Sequence, residues 1–182
     1  MRLARFLALA AVLGIGFHFA TAADDNKEIK EAILKLADAV GKNDKDAAKK
    51  LVDEIKKAEL EDVMNSMKPV AKGGIDVGFK EGIETKLNNA SKKPGDVKAT
   101  ADSYAKLAKV VAAVAEVAAV KCTVKAKEGE KDPKKWEEWV GDMKEGAKAL
   151  SEAAKSKDAK AVSAAVKKID GACKNCHGVF RD

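Results

Sequence analysis

Residues 136–154 read WEEWVGDMKEGAKALSEAA, and their apolar positions repeat with a helical period. Steps of four and three residues alternate between the apolar positions Trp136, Val140, Met143, Ala147, Leu150 and Ala154. This spacing places a single apolar stripe along a helix, which is typical of helix bundles. Asp132 and Pro133 form a helix start signal, because Asp caps a first turn and Pro fits inside it. The sequence therefore predicts a bundle helix over residues 133–155.

Three more segments complete the predicted bundle. After Asp158 the same stripe continues through Val162, Val166, Ile169, Cys173, Cys176 and Phe180. A long helix over 96–122 has Tyr104 on its inner stripe. In residues 44–68 the apolar face moves by roughly a third of a turn between Ile55 and Leu60, which predicts a kink or a helix that contacts different partners along its length. We predict an all-α fold, a four-helix bundle formed by residues 44–68, 96–122, 133–155 and 158–181.

Two elements lie outside this predicted bundle. A helix over 26–40 is an additional N-terminal element. Residues 69–95 are rich in glycine and end in Pro94-Gly95. A short helix over 81–90 would turn Ile83 and Leu87 inward. A loop of this length inside a compact domain is usually functional or partly structured.

The first 22 residues have the pattern of a secretory signal peptide. Arg2 and Arg5 precede an apolar run over 6–20, and Ala20-Thr21-Ala22 forms a cleavage site of small residues. We predict cleavage there, which leaves residues 23–182 as a single exported domain in the periplasm. No later segment is both long and apolar enough to span a bilayer.

The charge pattern argues against a nucleic-acid partner. The chain has 35 Lys and Arg against 29 Asp and Glu. Loss of Arg2 and Arg5 with the signal peptide leaves 33 basic and 29 acidic residues, a net charge of +4. Interleaved Lys and Glu of this kind indicate a solvated helical surface, whereas nucleic-acid binding favours clustered Arg with aromatic residues.

The segment Cys173-Lys174-Asn175-Cys176-His177 is the attachment pattern of a c-type haem. Two thiols three residues apart on a helix can each add to one vinyl group of a haem. The imidazole of His177 then lies under the iron as its proximal ligand. Because Cys173, Cys176 and Phe180 share the apolar stripe, we expect the haem to lie inside the bundle. The predicted cofactor is one covalent haem c.

Other interpretations of the two cysteines stay open. A thiol–disulfide redox pair normally begins a helix in a β-α-β setting, where the helix dipole lowers the thiol pKa, whereas this pair ends a helix. Half of a zinc site would need a second Cys/His pair to complete four ligands. A chance match is the remaining possibility. The third cysteine, Cys122, is a small buried apolar residue or forms an inter-chain disulfide.

The C-terminal segment, Cys-Lys-Asn-Cys-His-Gly-Val-Phe-Arg, resembles the closing pattern of the cytochrome c′ family, the class II c-type cytochromes. Residues 133–155 and 158–181 look like that family's third and fourth helices. The resemblance implies that Cys173 and Cys176 form the haem thioethers and that His177 is the proximal ligand. Arg181 matches the family's basic residue near that imidazole, or it is a surface charge at the helix end.

The resemblance also implies that a residue of the first bundle helix covers the other haem face. Low-spin members use Met there, and gas-binding members use an apolar residue. Met64 and Met67 are the candidates, with Met64 preferred, because thioethers suit iron; both are otherwise flexible core residues. Met143 fits the bundle core.

We therefore predict a non-enzymatic periplasmic electron carrier whose iron cycles between Fe(III) and Fe(II). The alternative is a five-coordinate haem protein that binds NO or CO. Electron transfer implies a redox partner protein, and the family resemblance implies a homodimer. A Ser/His/Asp hydrolase site is excluded, because the one His of the mature chain, His177, belongs to the haem motif.

Overall fold

The computed structural model describes residues 22–181, so the predicted signal peptide lies outside the described residues except for Ala22. This part of the chain forms seven α-helices and one short 3-10 helix, and its residues form no β-strand beyond one isolated bridge. The all-α prediction is confirmed. The helices are α1 Ala22–Gly41, α2 Lys45–Ile55, α3 Leu60–Asn65, α4 Ile83–Ala90, α5 Val97–Ala119, α6 Pro133–Ser156 and α7 Ala159–Phe180.

The long helices α5, α6 and α7 begin at aspartates that cap their first turns. Asp96 accepts a hydrogen bond from the backbone N–H of Ala99 at 3.1 Å. Asp132 and Asp158 cap α6 and α7 in the same way, at 2.9 and 2.8 Å. Each cap satisfies a backbone donor that the helix leaves unpaired, so it fixes where the helix starts. Helix α6 packs between α5 and α7. No helix among residues 22–181 is long and apolar enough to cross a membrane.

Residues 44–68 do not form one bundle helix, which corrects that prediction. The chain leaves helical geometry at Glu59, whose φ of −67° and ψ of 148° are extended, so α2 and α3 are separate helices. This break realigns the apolar face after Ile55, so that Val63 of α3 is fully buried. The first helix is not peripheral. Helix α1 packs on α5 and α2, and its Ile33 and Leu36 are fully buried in the main core.

The glycine-rich segment after α3 is folded tightly against its surroundings. The N–H of Ile75 donates to the carbonyl of Ser66 at 2.8 Å, and the N–H of Ile83 donates to Met67 at 3.0 Å. Gly82 has φ 86° and ψ 164°, a conformation that is essentially restricted to glycine. As predicted, a short helix follows, and its Ile83 and Leu87 are buried. This segment fastens the end of α3 to α4, and α4 packs on α7.

Helices α6 and α7 approach each other closely at Gly146. A Cβ atom there would lie 2.6 Å from Cγ1 of Ile169, which is closer than real Cβ contacts. At Gly141, in the same helix, a Cβ atom would meet nothing within 4 Å. Gly146 therefore sets the distance between α6 and α7 at Ile169, which lies one turn before Cys173.

These two glycines form a matched pair. We expect Gly146→Ala to lower the free energy of unfolding by about 1–3 kcal/mol, because the added methyl group displaces Ile169. Gly141→Ala should raise it by about 0.5–1 kcal/mol through helix propensity alone. Thermal and urea unfolding of both variants measure these changes. Equal effects of the two substitutions would show that close packing at Gly146 is unimportant.

Tyr104 lies in the core below the glycine-rich segment. Its hydroxyl donates to the carbonyl of Pro94 at 2.5 Å, and its ring centroid is 5.0 Å from that of Phe79. Burial, with a smaller contribution from Glu81, raises the pKa of Tyr104 from 10.0 to about 12. The folded protein therefore holds this proton in a pH range in which the unfolded chain releases it.

Alkaline titration tests this environment. Between pH 10 and about 12 the unfolded state binds fewer protons than the folded state, so stability should fall as pH rises above 10. Because the chain has one Tyr, the tyrosinate absorbance reports Tyr104 alone. We expect its midpoint near pH 12 or coincident with unfolding, and Tyr104→Phe should remove this signal. A midpoint at pH 10 in the folded protein would contradict the buried phenol.

Candidate functional site

A cavity of about 480 Å³ lies between α3, α4, α6 and α7, and its lining is mainly apolar. Cys173, Cys176 and His177 of the last helix line it. Met64 of α3 and Met67, just after that helix, line the same cavity. The structure thus brings together the five residues that the sequence singled out, although about a hundred residues separate the two groups.

The haem motif lies in the last turns of α7, where all three of its functional side chains are partly buried. Burial, reinforced by the nearby Asp170 carboxylate, raises the pKa of the Cys173 thiol to about 12. Burial also raises the pKa of Cys176 to about 11. Both thiols are therefore protonated at neutral pH. Reactive redox cysteines have the opposite property, a lowered pKa, so this environment disfavours the thiol–disulfide interpretation.

The zinc interpretation also lacks support within the described part of the chain. Residues 22–181 contain no group of three or more His, Cys, Asp and Glu side chains placed to hold a metal ion. A structural zinc site needs four such ligands in tetrahedral arrangement. The two cysteines and His177 therefore have no further zinc ligands there.

The three methionines near the site differ in how deeply they are packed. Met67 and Met143 are each 7% exposed and belong to the main core cluster. Met64 is half-buried and packs against the edge of that cluster. All three line the cavity, so Met143 has the core position predicted for it and also faces the site. Of these side chains, Met64 has the most freedom to reach into the cavity.

Aromatic side chains close the cavity at the start of α6. The indole N–H of Trp136 donates to the carbonyl of Ala118 at 2.9 Å, which satisfies a buried polar group. Phe180 packs edge-on against Trp136 and Trp139, with ring centroids 5.0 and 6.1 Å apart. Both tryptophans line the cavity. These rings form an apolar wall beside the haem motif.

Two other residues of interest lie at the edge of the site. Arg181 is exposed and lines the cavity, one turn after His177, whose carbonyl accepts its backbone N–H at 3.3 Å. Cys122 is partly buried, packs in the same small cluster as Cys176, and directs its thiol to the carbonyl of Val124 at 3.2 Å. Sequence reasoning missed Glu84 and Asp170, which also line the cavity.

A helical bundle whose last helix directs Cys-x-x-Cys-His into an apolar cavity defines a c-type haem protein. The family model of cytochrome C' matches residues 97–181, from the start of α5 to the residue after α7. Over these residues the chain matches the cytochrome c′ family, as its C-terminal pattern indicated. No curated protein and no solved structure matches the chain.

The cofactor of cytochromes c′ is covalent haem c, as predicted. The residues around the cavity suit this group. They include two thiols that would attach the haem covalently, an imidazole and thioethers that would bind its iron, and an apolar surround.

Haem attachment can be tested with the three cysteines. We expect the double variant Cys173→Ser, Cys176→Ser to lose haem staining on a denaturing gel, since only covalently bound haem survives denaturation. Cys122→Ser is the matched control and should stain like the parent protein. Loss of stain in the Cys122 variant alone would contradict this assignment of the cysteines.

Proposed function

We propose that this protein is a periplasmic electron carrier with one covalently attached haem c. In this proposal Cys173 and Cys176 form the thioethers, His177 is the proximal iron ligand and Met64 is the distal ligand. The observation that carries it is that Met64 lines the same cavity as His177. When bound, the haem supplies an iron that accepts and releases a single electron. Members of this family are generally haem-binding or electron-carrier proteins rather than enzymes.

The surrounding residues suit electron transfer. The Trp136, Trp139 and Phe180 rings make one wall apolar, and an apolar site changes its solvation little when one charge is added or removed. A thioether ligand favours the reduced iron and raises the potential. We prefer Met64 to Met67 because Met67 is more deeply packed and its carbonyl accepts the N–H groups of Ile83 and Glu84.

Binding of NO or CO is the second candidate function. It is supported by the apolar side chains of Leu60, Leu87 and Val140, which line the cavity alongside the methionines. If neither methionine binds iron, these residues leave an apolar pocket that suits a small uncharged gas. As an electron carrier, the protein would require a redox partner protein. We also propose a homodimer, on the basis of the family resemblance.

The optical spectrum of the dithionite-reduced protein distinguishes these functions. We expect a sharp, split visible band, which indicates six-coordinate low-spin iron. Met64→Leu should convert it to a broad band and allow CO to bind, because Leu has similar volume but no sulfur ligand. Met143→Leu is the matched control and should leave the band sharp.

Three other outcomes are informative. If Met67→Leu, and not Met64→Leu, converts the sharp band to a broad one, the distal ligand is Met67. A broad band in the parent protein would contradict methionine ligation and favour gas binding. A sharp band in all variants would exclude both methionines as ligands.

A further inference from the structure

One charged side chain is buried in the wall of the cavity. Asp170 is 9% exposed, and among the Asp, Glu, Lys, Arg and His residues of 26–181 it alone is buried. It lies on α7 three residues before Cys173 and lines the cavity. The other charged residues on the cavity wall are exposed and more strongly screened by water; they are Glu61, Lys68, Glu84 and Arg181.

The partner of Asp170 lies within the haem motif itself. The ammonium group of Lys174 donates to Oδ2 of Asp170 at 2.6 Å and to Oδ1 of Asn88 at 2.9 Å. The side chain of Asp170 is 13% exposed and that of Lys174 is 58% exposed. The negative end of this ion pair therefore lies on the cavity side and the positive end faces water. A buried carboxylate needs such a partner to remain charged.

We propose that the Asp170–Lys174 pair sets the reduction potential of the haem, with Asp170 lowering it and Lys174 partly offsetting that effect. This inference rests on the proposed function as an electron carrier. Reduction adds one electron to Fe(III) and gives Fe(II), so the oxidised form carries one more positive charge. A poorly screened carboxylate stabilises that extra charge, whereas an ammonium group destabilises it. Because Asp170 is the more buried of the two, its field is the stronger at the cavity.

Potentiometric titration with redox mediators, which supply the electron, tests this pair. Asp170→Asn keeps the shape and removes the charge, and we expect it to favour reduction by about tenfold, a rise of about 59 mV. Lys174→Gln should lower the reduction potential, by a smaller amount. The double variant should return towards the parent value, which structural damage alone would not produce. Asp142→Asn is the matched control, because this α6 carboxylate pairs with Lys168 at 3.2 Å and is not part of the cavity lining.

The absorption spectrum of each variant separates an effect of charge from a change of ligands. An unchanged spectrum with opposite shifts for Asp170→Asn and Lys174→Gln supports the inference. Unchanged potentials, or a shift as large for Asp142→Asn, overturn it and leave the proposed electron carrier intact. A parent protein without covalent haem or reversible one-electron reduction overturns both.

Discussion

Helices α6 and α7 meet so closely at Gly146 that even a methyl group there would overlap Ile169. This contact fixes the rotation of α7, because a helix held at one face cannot turn without breaking its packing. Cys173 follows Ile169 by one turn, so the same contact decides that the haem motif faces the cavity. The aromatic cluster of Trp136 and Phe180 then holds the last turn of α7 against the start of α6.

The part of the site that contains Met64 is formed by a less regular part of the chain. Helix α3 has six residues, too few to be stable alone, and it is held by its neighbours. Backbone hydrogen bonds from Ile75 and Ile83 to the residues just after α3 supply this support, and Gly82 permits the tight return of the chain. The position of Met64 therefore depends on the glycine-rich segment, which gives that segment a structural role beside the cavity.

The sequence predicts the parts of the fold that local rules control. Aspartate caps and a regular apolar stripe define α5, α6 and α7, and the haem motif lies on that stripe. The shift of the apolar face predicts a kink or a change of contact partners in residues 44–68, but it does not reveal that the backbone becomes extended at Glu59. Asp170 was missed because a charge beside an apolar stripe resembles an ordinary surface residue, and its burial depends on α4, which packs there through long-range contacts.

The aromatic wall has a practical consequence. Both tryptophans of the chain line the cavity, so each lies close to the volume that a haem bound there would fill. Excitation energy passes efficiently from indole to haem over short distances, so a haem in this cavity would quench the tryptophan fluorescence of the folded protein. Tryptophan fluorescence would be strong before the cofactor is attached and would recover when the chain unfolds. Tryptophan fluorescence would therefore report both haem attachment and unfolding without an external dye.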